Sequence, residues 1–208
     1  MGALESIGSF THLLKDKTLL QQAAFVGGKW VKAQNCKDFP VTNPATGEEI
    51  ARVPNMTGED AVLAIAASEK ALVDWRNKTG KERAHVIRQW FNLITEHTED
   101  LAIIMTHEQG KPLAEARAEI HYGSTFIEWF AEEGKRAYGQ VIPNSVPGKR
   151  HITLKHPVGV VAAISPWNFP ITLAIRKLAP ALAVGCTVVS RPASQTPRSL
   201  IVIFECLI

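Results

Sequence analysis

The feature that most constrains this chain is residues 158–164 (VGVVAAI), a run that is apolar almost throughout. A strand buried on both faces reads this way, and such strands belong to parallel sheets covered by helices. A turn at Ser165 to Pro170 follows. Ile171, Ile175, Leu178 and Leu182 then recur at helical spacing, and Gly185 is placed to end that helix. Cys186 to Ser190 is a second short apolar strand, and Arg191-Pro192 leads to an N-cap candidate near Thr196. Strand, helix and strand packed into so short a stretch have the dimensions of a right-handed βαβ unit. The fold class is therefore α/β.

The preceding residues divide in two. After an irregular or helical lead-in over residues 1–20, Phe25-Val26 and Trp30-Val31 flank Gly27-Gly28, a hairpin signal. Asn43-Pro44 and Thr46-Gly47 mark a second turn before a strand at Glu49 to Val53. Helical signals then take over. Thr57 with Asp60 and Thr79 with Glu82 have capping-box spacing. Val62, Ile65, Ala66, Leu72 and Val73 fall on one face of the first helix, and Ala84, Ile87, Phe91 and Ile94 on one face of the second. Thr98 is placed to cap a third helix running to about Glu108, and Pro112 suits the first turn of a fourth. Leu113, Ala116, Ile120, Ile127 and Phe130 stripe that helix, with Trp129 expected to help dock it. A glycine- and proline-rich stretch from Gly134 to Gly148 precedes a candidate strand at His151 to His156.

Composition excludes several classes. With 23 basic and 20 acidic residues the net charge is +3, too balanced for a nucleic-acid or anionic-membrane surface. Cys36, Cys186 and Cys206 are odd in number and far apart, which speaks against a disulfide framework or a metal site and favours a reducing compartment. The start of the chain has neither a secretion-signal layout nor a mitochondrial presequence composition. Gly2 and Ser6 fit a loose myristoylation pattern too short to carry weight. The expectation is a cytoplasmic protein that binds neither nucleic acid nor membrane.

Ligands of open α/β sheets bind beyond the carboxyl ends of the strands. That rule selects Trp167 and Asn168 after the first strand and Arg191 and Ser194 after the second. It places Cys186 at the opposite edge, where a buried structural role is expected. No G-x-G-x-x-G is present, so no dinucleotide follows from a glycine fingerprint. Arg191 is able to pair with a phosphate; the same residues also fit a loop arginine beside a helix cap.

Several longer motifs add what spacing does not. ISPWNFP, RKLAPALAVGCTVV and RPASQTP, with NPATGEEIARVP, EQGKPLAEARAEI and FIEWFAEEGKR upstream, resemble the aldehyde dehydrogenase superfamily. Within it the likeness is greatest to bacterial-type succinate-semialdehyde dehydrogenases. It runs from about Phe25 to Pro197. The resemblance implies an incomplete Rossmann-like cofactor-binding domain of the aldehyde dehydrogenase fold, with an N-terminal β-hairpin and helical segment. Residues 1–138 would form its N-terminal part, 139–157 an oligomerisation-type β segment, and 158–208 a truncated βαβ unit, the catalytic domain being absent.

The family's reaction implies the rest. A cysteine thiolate attacks the aldehyde carbon, hydride passes to a nicotinamide, and a glutamate-activated water releases the carboxylate. By resemblance Asn168 is the oxyanion-hole amide. Pro166, Trp167 and Asn168 would line the nicotinamide side of the cofactor groove, and Arg191, Pro192, Ala193 and Ser194 the adenosine ribose side. Relatives usually carry lysine where this chain has Arg191. NAD-preferring relatives carry an acidic residue at Ser194, so serine implies NADP, with NAD possible. Arg176 matches the arginine that holds the distal carboxylate of succinate semialdehyde. No residue here matches the catalytic cysteine or glutamate, and RSLIVIFECLI after Pro197 departs from the family pattern. That departure suggests a truncated gene, a frameshift or a mispredicted exon. The expectation is a chain inactive alone, with an aggregation-prone tail, that oligomerises with itself when complete. The alternatives are a non-catalytic nucleotide-binding module or a subunit-interaction fragment.

Overall fold

The computed structural model describes residues 9–206, so the pattern at Gly2 and Ser6 lies outside the described residues. The lead-in forms two short 3-10 turns, Ser9–Leu13 and Lys17–Leu19. It is fastened by the buried Asp100 carboxylate, which accepts from the backbone amides of Lys15 and Asp16, each at 2.9 Å. Strands β1 (Ala24–Val26) and β2 (Lys29–Val31) pair antiparallel across Gly27-Gly28. Both glycines have positive φ, 58° and 79°, as a two-residue hairpin turn requires. Strands β3 (Asp38–Thr42) and β4 (Glu49–Pro54) make a second antiparallel pair.

Four helices follow: α1 (Gly58–Asn77), α2 (Gly80–Glu96), α3 (Thr98–Gln109) and α4 (Leu113–Glu133). Both expected capping boxes are present, Thr57 with Asp60 and Thr79 with Glu82. The third cap is not. Thr98 is the first helical residue rather than the cap, and its hydroxyl turns back to the Ile94 and Thr95 carbonyls. Pro112 stands at the N-cap of α4, one position earlier than expected. The stripes of α2 and α4 face the core as read, with Phe91, Leu113 and Phe130 only partly buried, and Trp90 joins them, its indole N–H donating to the Ile203 carbonyl at 2.9 Å. The stripe of α1 is not: Val62, Ile65 and Val73 are exposed, because α1 packs on its Ala67–Ser68 side and nothing described covers the other face. Trp129 is 62% exposed and does not dock α4; it faces a shallow surface cleft with Arg88 and Glu132.

Strands β5 (Gln140–Ile142) and β6 (His151–Thr153) form an exposed antiparallel pair. Then β7 (Val160–Ile164), α5 (Thr172–Ala183) and β8 (Thr187–Arg191) build the expected unit, with β7 and β8 parallel. The tail forms helix α6 (Pro197–Glu205). Its Leu200, Val202 and Ile203 enter the common core, so the apolar residues expected to promote aggregation are spent on packing. Cys206 is buried with them, and burial pushes its thiol up to about 12, which leaves it inert as a nucleophile.

Helix α6 starts against a buried carboxylate. Glu108 accepts from the backbone amides of Arg198 and Ser199 and from the Ser199 hydroxyl, at 2.6–2.7 Å. Burial pushes the Glu108 carboxyl up to about 7, and these donors pull it back only in part. Its folded value thus lies above its ordinary 4.5. The stability linked to its proton is fully present below that ordinary value and is lost as pH rises through the folded one. Chemical unfolding should therefore show stability falling from about pH 5 to about pH 7.5 and levelling beyond. Carboxylates held low by hydrogen bonds, such as Asp16 and Glu82, act only at lower pH. A stability that climbs across that window would contradict a buried, protonatable Glu108.

Candidate functional site

The register of the parallel pair fixes the site. Ile164 lies opposite Arg191, and the Ser165 amide donates to the Arg191 carbonyl at 3.1 Å. The segments leaving the two strands, Pro166 to Phe169 and Pro192 to Ser194, therefore emerge side by side at one sheet edge. Pro166, Trp167, Asn168, Arg191 and Ser194 are exposed there, and Pro192 and Ala193 are half-buried. Cys186 precedes the first residue of β8 at the other edge and is 2% exposed. Arg176 lies one turn into α5, exposed, with its guanidinium 5.0 Å from the centre of the Phe126 ring of α4. The structure thus brings the Asn168 turn and the Arg191 loop together. Arg176 it sets apart from them, on the α4 side of α5.

The donors of this edge suit a dinucleotide: among the described residues no hydrogen bond or ion pair engages the Arg191 guanidinium or the Ser194 hydroxyl, both residues are exposed, and Trp167 is 52% exposed. The Ser165 hydroxyl is buried without a partner. The two helix N-termini behind the loops are closed to a phosphate. The first amides of α5 and the residue before it, Thr172 and Ile171, donate to Glu119 Oε1 at 3.1 Å each. Those of α6 donate to Glu108. A phosphate gains from a helix start when its N–H groups are free. Here buried carboxylates hold them. An anionic ligand must instead take its charge partner from Arg191.

Glu119 and its partner were missed in the sequence. The Glu119 side chain is 1% exposed and its Oε2 lies 2.5 Å from Lys111 Nζ; Lys111 is itself 9% exposed. The same ammonium donates to the Asn168 carbonyl at 3.1 Å and sits 4.4 Å from the centre of the Phe169 ring. Lys111 and Glu119 occur in the stretch EQGKPLAEARAEI, but they stand eight positions apart across a helix start. No helical or strand periodicity pairs such positions.

Comparison with known proteins shows the family. The family model described as "Aldehyde dehydrogenase family" matches residues 30–208, tail included. The chain is 53% identical over 192 residues to the succinate-semialdehyde dehydrogenase [NADP(+)] GabD of Escherichia coli (strain K12), covering 92% of this chain and 40% of that protein. It is 54% identical to a glutarate-semialdehyde dehydrogenase of Pseudomonas putida, with the same coverage. A crystal structure described as an E. coli NADP dependent enzyme superimposes with a TM-score of 0.92 at 52% identity, over 93% of this chain and 40% of that one. The chain thus spans about 40% of the length of the curated relatives it matches. Enzymes of this family are oxidoreductases that act on aldehydes with NAD(P), and their fold is the α/β fold described above. The chain belongs to the aldehyde dehydrogenase family.

Proposed function

We propose that this chain is the cofactor-side portion of an enzyme that oxidises succinate semialdehyde to succinate with NADP. The observation that carries this reading is the parallel register that puts the Asn168 turn and the unpaired Arg191 cation at one sheet edge. Asn168 would donate its side-chain amide to the aldehyde oxygen as negative charge builds there. Pro166 and Trp167 would lie against the nicotinamide, and Arg191 to Ser194 against the adenosine ribose. Bound NADP would supply the hydride acceptor. The family's thiolate and glutamate match no residue of this chain, so the chain by itself would not turn over. Residues 1–138 and 158–208 would belong to the cofactor domain. Residues 139–157, with Val141, Ile152 and Leu154 exposed, would be the subunit-contact segment of a homo-oligomer. The cytoplasm is the proposed location; among the described residues no helix is long and apolar enough to cross a membrane.

The reading is tested in a hybrid in which this chain, up to Pro197, supplies the aligned segment of the E. coli relative. Replacing Arg176 by alanine should raise KM for succinate semialdehyde about tenfold or more, the loss expected when a charged hydrogen-bond partner goes. An uncharged aldehyde of similar length should be little affected, and equal effects on both would remove Arg176 from the substrate site. Serine at 194 neither repels a 2′-phosphate nor holds the ribose hydroxyls as a carboxylate would. Ser194→Glu should therefore shift the ratio of kcat/KM for NADP over NAD by at least about tenfold toward NAD. An unchanged ratio would show that Ser194 does not meet the ribose.

A further inference from the structure

We propose that Lys111 and Glu119 are positioning residues that hold the Asn168 turn in the orientation its amide needs. This deepens the proposed function and rests on it, since it assigns to these residues a task that matters only if Asn168 acts. The geometry converges on five consecutive residues. Lys111 Nζ holds the Asn168 carbonyl and lies over the Phe169 ring. Glu119 Oε1 holds the amides of Ile171 and Thr172, while the Glu119 backbone carbonyl accepts from the Thr172 hydroxyl at 3.0 Å. The ion pair between Lys111 and Glu119 closes the circuit. Apart from the Thr172 hydroxyl, these contacts go to backbone or to Phe169, and the Asn168 side chain stays exposed and unengaged among the described residues. A clamp of this kind fixes direction without consuming the group it presents. A fixed donor is what an oxyanion site requires, because a donor that must reorient during the reaction loses most of its benefit.

The pair is also mostly removed from water, with side chains 9% and 1% exposed. Charge pairs in such surroundings are costly to desolvate and add little net stability over well-packed apolar residues. Two apolar side chains would fill the space equally well. They would offer no donor to the Asn168 carbonyl and no acceptor to the start of α5.

Amide hydrogen exchange on the 208-residue chain tests the clamp without substrate or cofactor, so its failure is distinct from a failure of the enzymatic reading. In Lys111→Met, exchange at Ile171, Thr172 and Leu173 should quicken by at least about tenfold, the effect of losing a charge-assisted hydrogen bond. The Ser165 amide, bound to the Arg191 carbonyl, and the amides of α2 should keep their rates. Lys111→Arg should restore most of the protection, since a guanidinium keeps the charge toward Glu119 and the stack on Phe169. Uniform acceleration along the chain, or none at residues 171–173, overturns the proposal. Should the methionine variant not fold, amine labelling of the unaltered chain decides. Lys111 must react at least about tenfold more slowly than exposed lysines such as Lys81, as expected for an ammonium held in a buried ion pair. Equal labelling refutes the clamp.

Discussion

Glu119→Ala is expected to lower the stability of this chain by about 3–5 kcal/mol, the cost of removing one partner of a buried ion pair. The loss has separable physical sources. Lys111 is left with its charge in a pocket where its side chain is only 9% exposed. The amides of Ile171 and Thr172 lose their acceptor at the start of α5. The space between α4 and the start of α5, where Glu119 is buried, loses carboxylate volume. Against a total stability of about 5–15 kcal/mol for a domain, such a loss leaves a marginal fold. Urea unfolding followed by tryptophan fluorescence measures it. A change below about 1 kcal/mol, the range of exposed ion pairs, would mean that water reaches the pair.

Asn168→Ala separates activity from stability in the opposite sense. In the hybrid enzyme kcat should fall by about 10²–10³, the usual effect of losing one oxyanion donor. The unfolding midpoint should not move, because Asn168 is exposed and its structural contact, the carbonyl bonded to Lys111, is backbone and survives the substitution. A fall in activity matched by an equal fall in stability would make Asn168 a turn residue only.

What the sequence made legible is what periodicity and local chemistry encode. The βαβ unit was readable because the runs at 158–164 and 186–190 carry no charged residue. The expectation that the first strand is buried on both faces does not hold: in β7 only Ala163 is buried and Ile164 is 64% exposed, because no described element covers its second face. The first hairpin was readable because Gly27-Gly28 supplies two positive φ angles in succession. The edge-sorting of Asn168, Arg191 and Cys186 followed from strand direction alone, and the register of β7 with β8 bears out that placement. The individual roles given to these residues came from resemblance, and those roles await the tests above.

The misreadings have a common cause: burial depends on what an element meets. The apolar stripe of α1 is a correct amphipathic pattern whose face goes uncovered among the described residues. Trp129 was expected to dock α4, yet it is 62% exposed beside a cleft with Arg88 and Glu132. The tail was expected to be aggregation-prone because it is apolar, β-branched and nearly uncharged. Packing of Leu200, Val202 and Ile203 into the core, with Glu108 closing the first turn, overrides that expectation. Glu108 and Glu119 went unnoticed for the same reason. A glutamate in a helix reads as a solvated charge, and only a distant helix start, 90 or 52 residues away, makes it a buried cap.

The central claim is that the Asn168 turn and the Arg191 loop form one dinucleotide groove serving aldehyde oxidation. The most direct measurement is the rate of reduced-nicotinamide formation by the hybrid enzyme with succinate semialdehyde, compared between NADP and NAD. The account predicts turnover within about tenfold of the E. coli relative, a difference of about 1.4 kcal/mol or less in the barrier, with NADP preferred. A folded hybrid that oxidises the aldehyde with neither dinucleotide would contradict it.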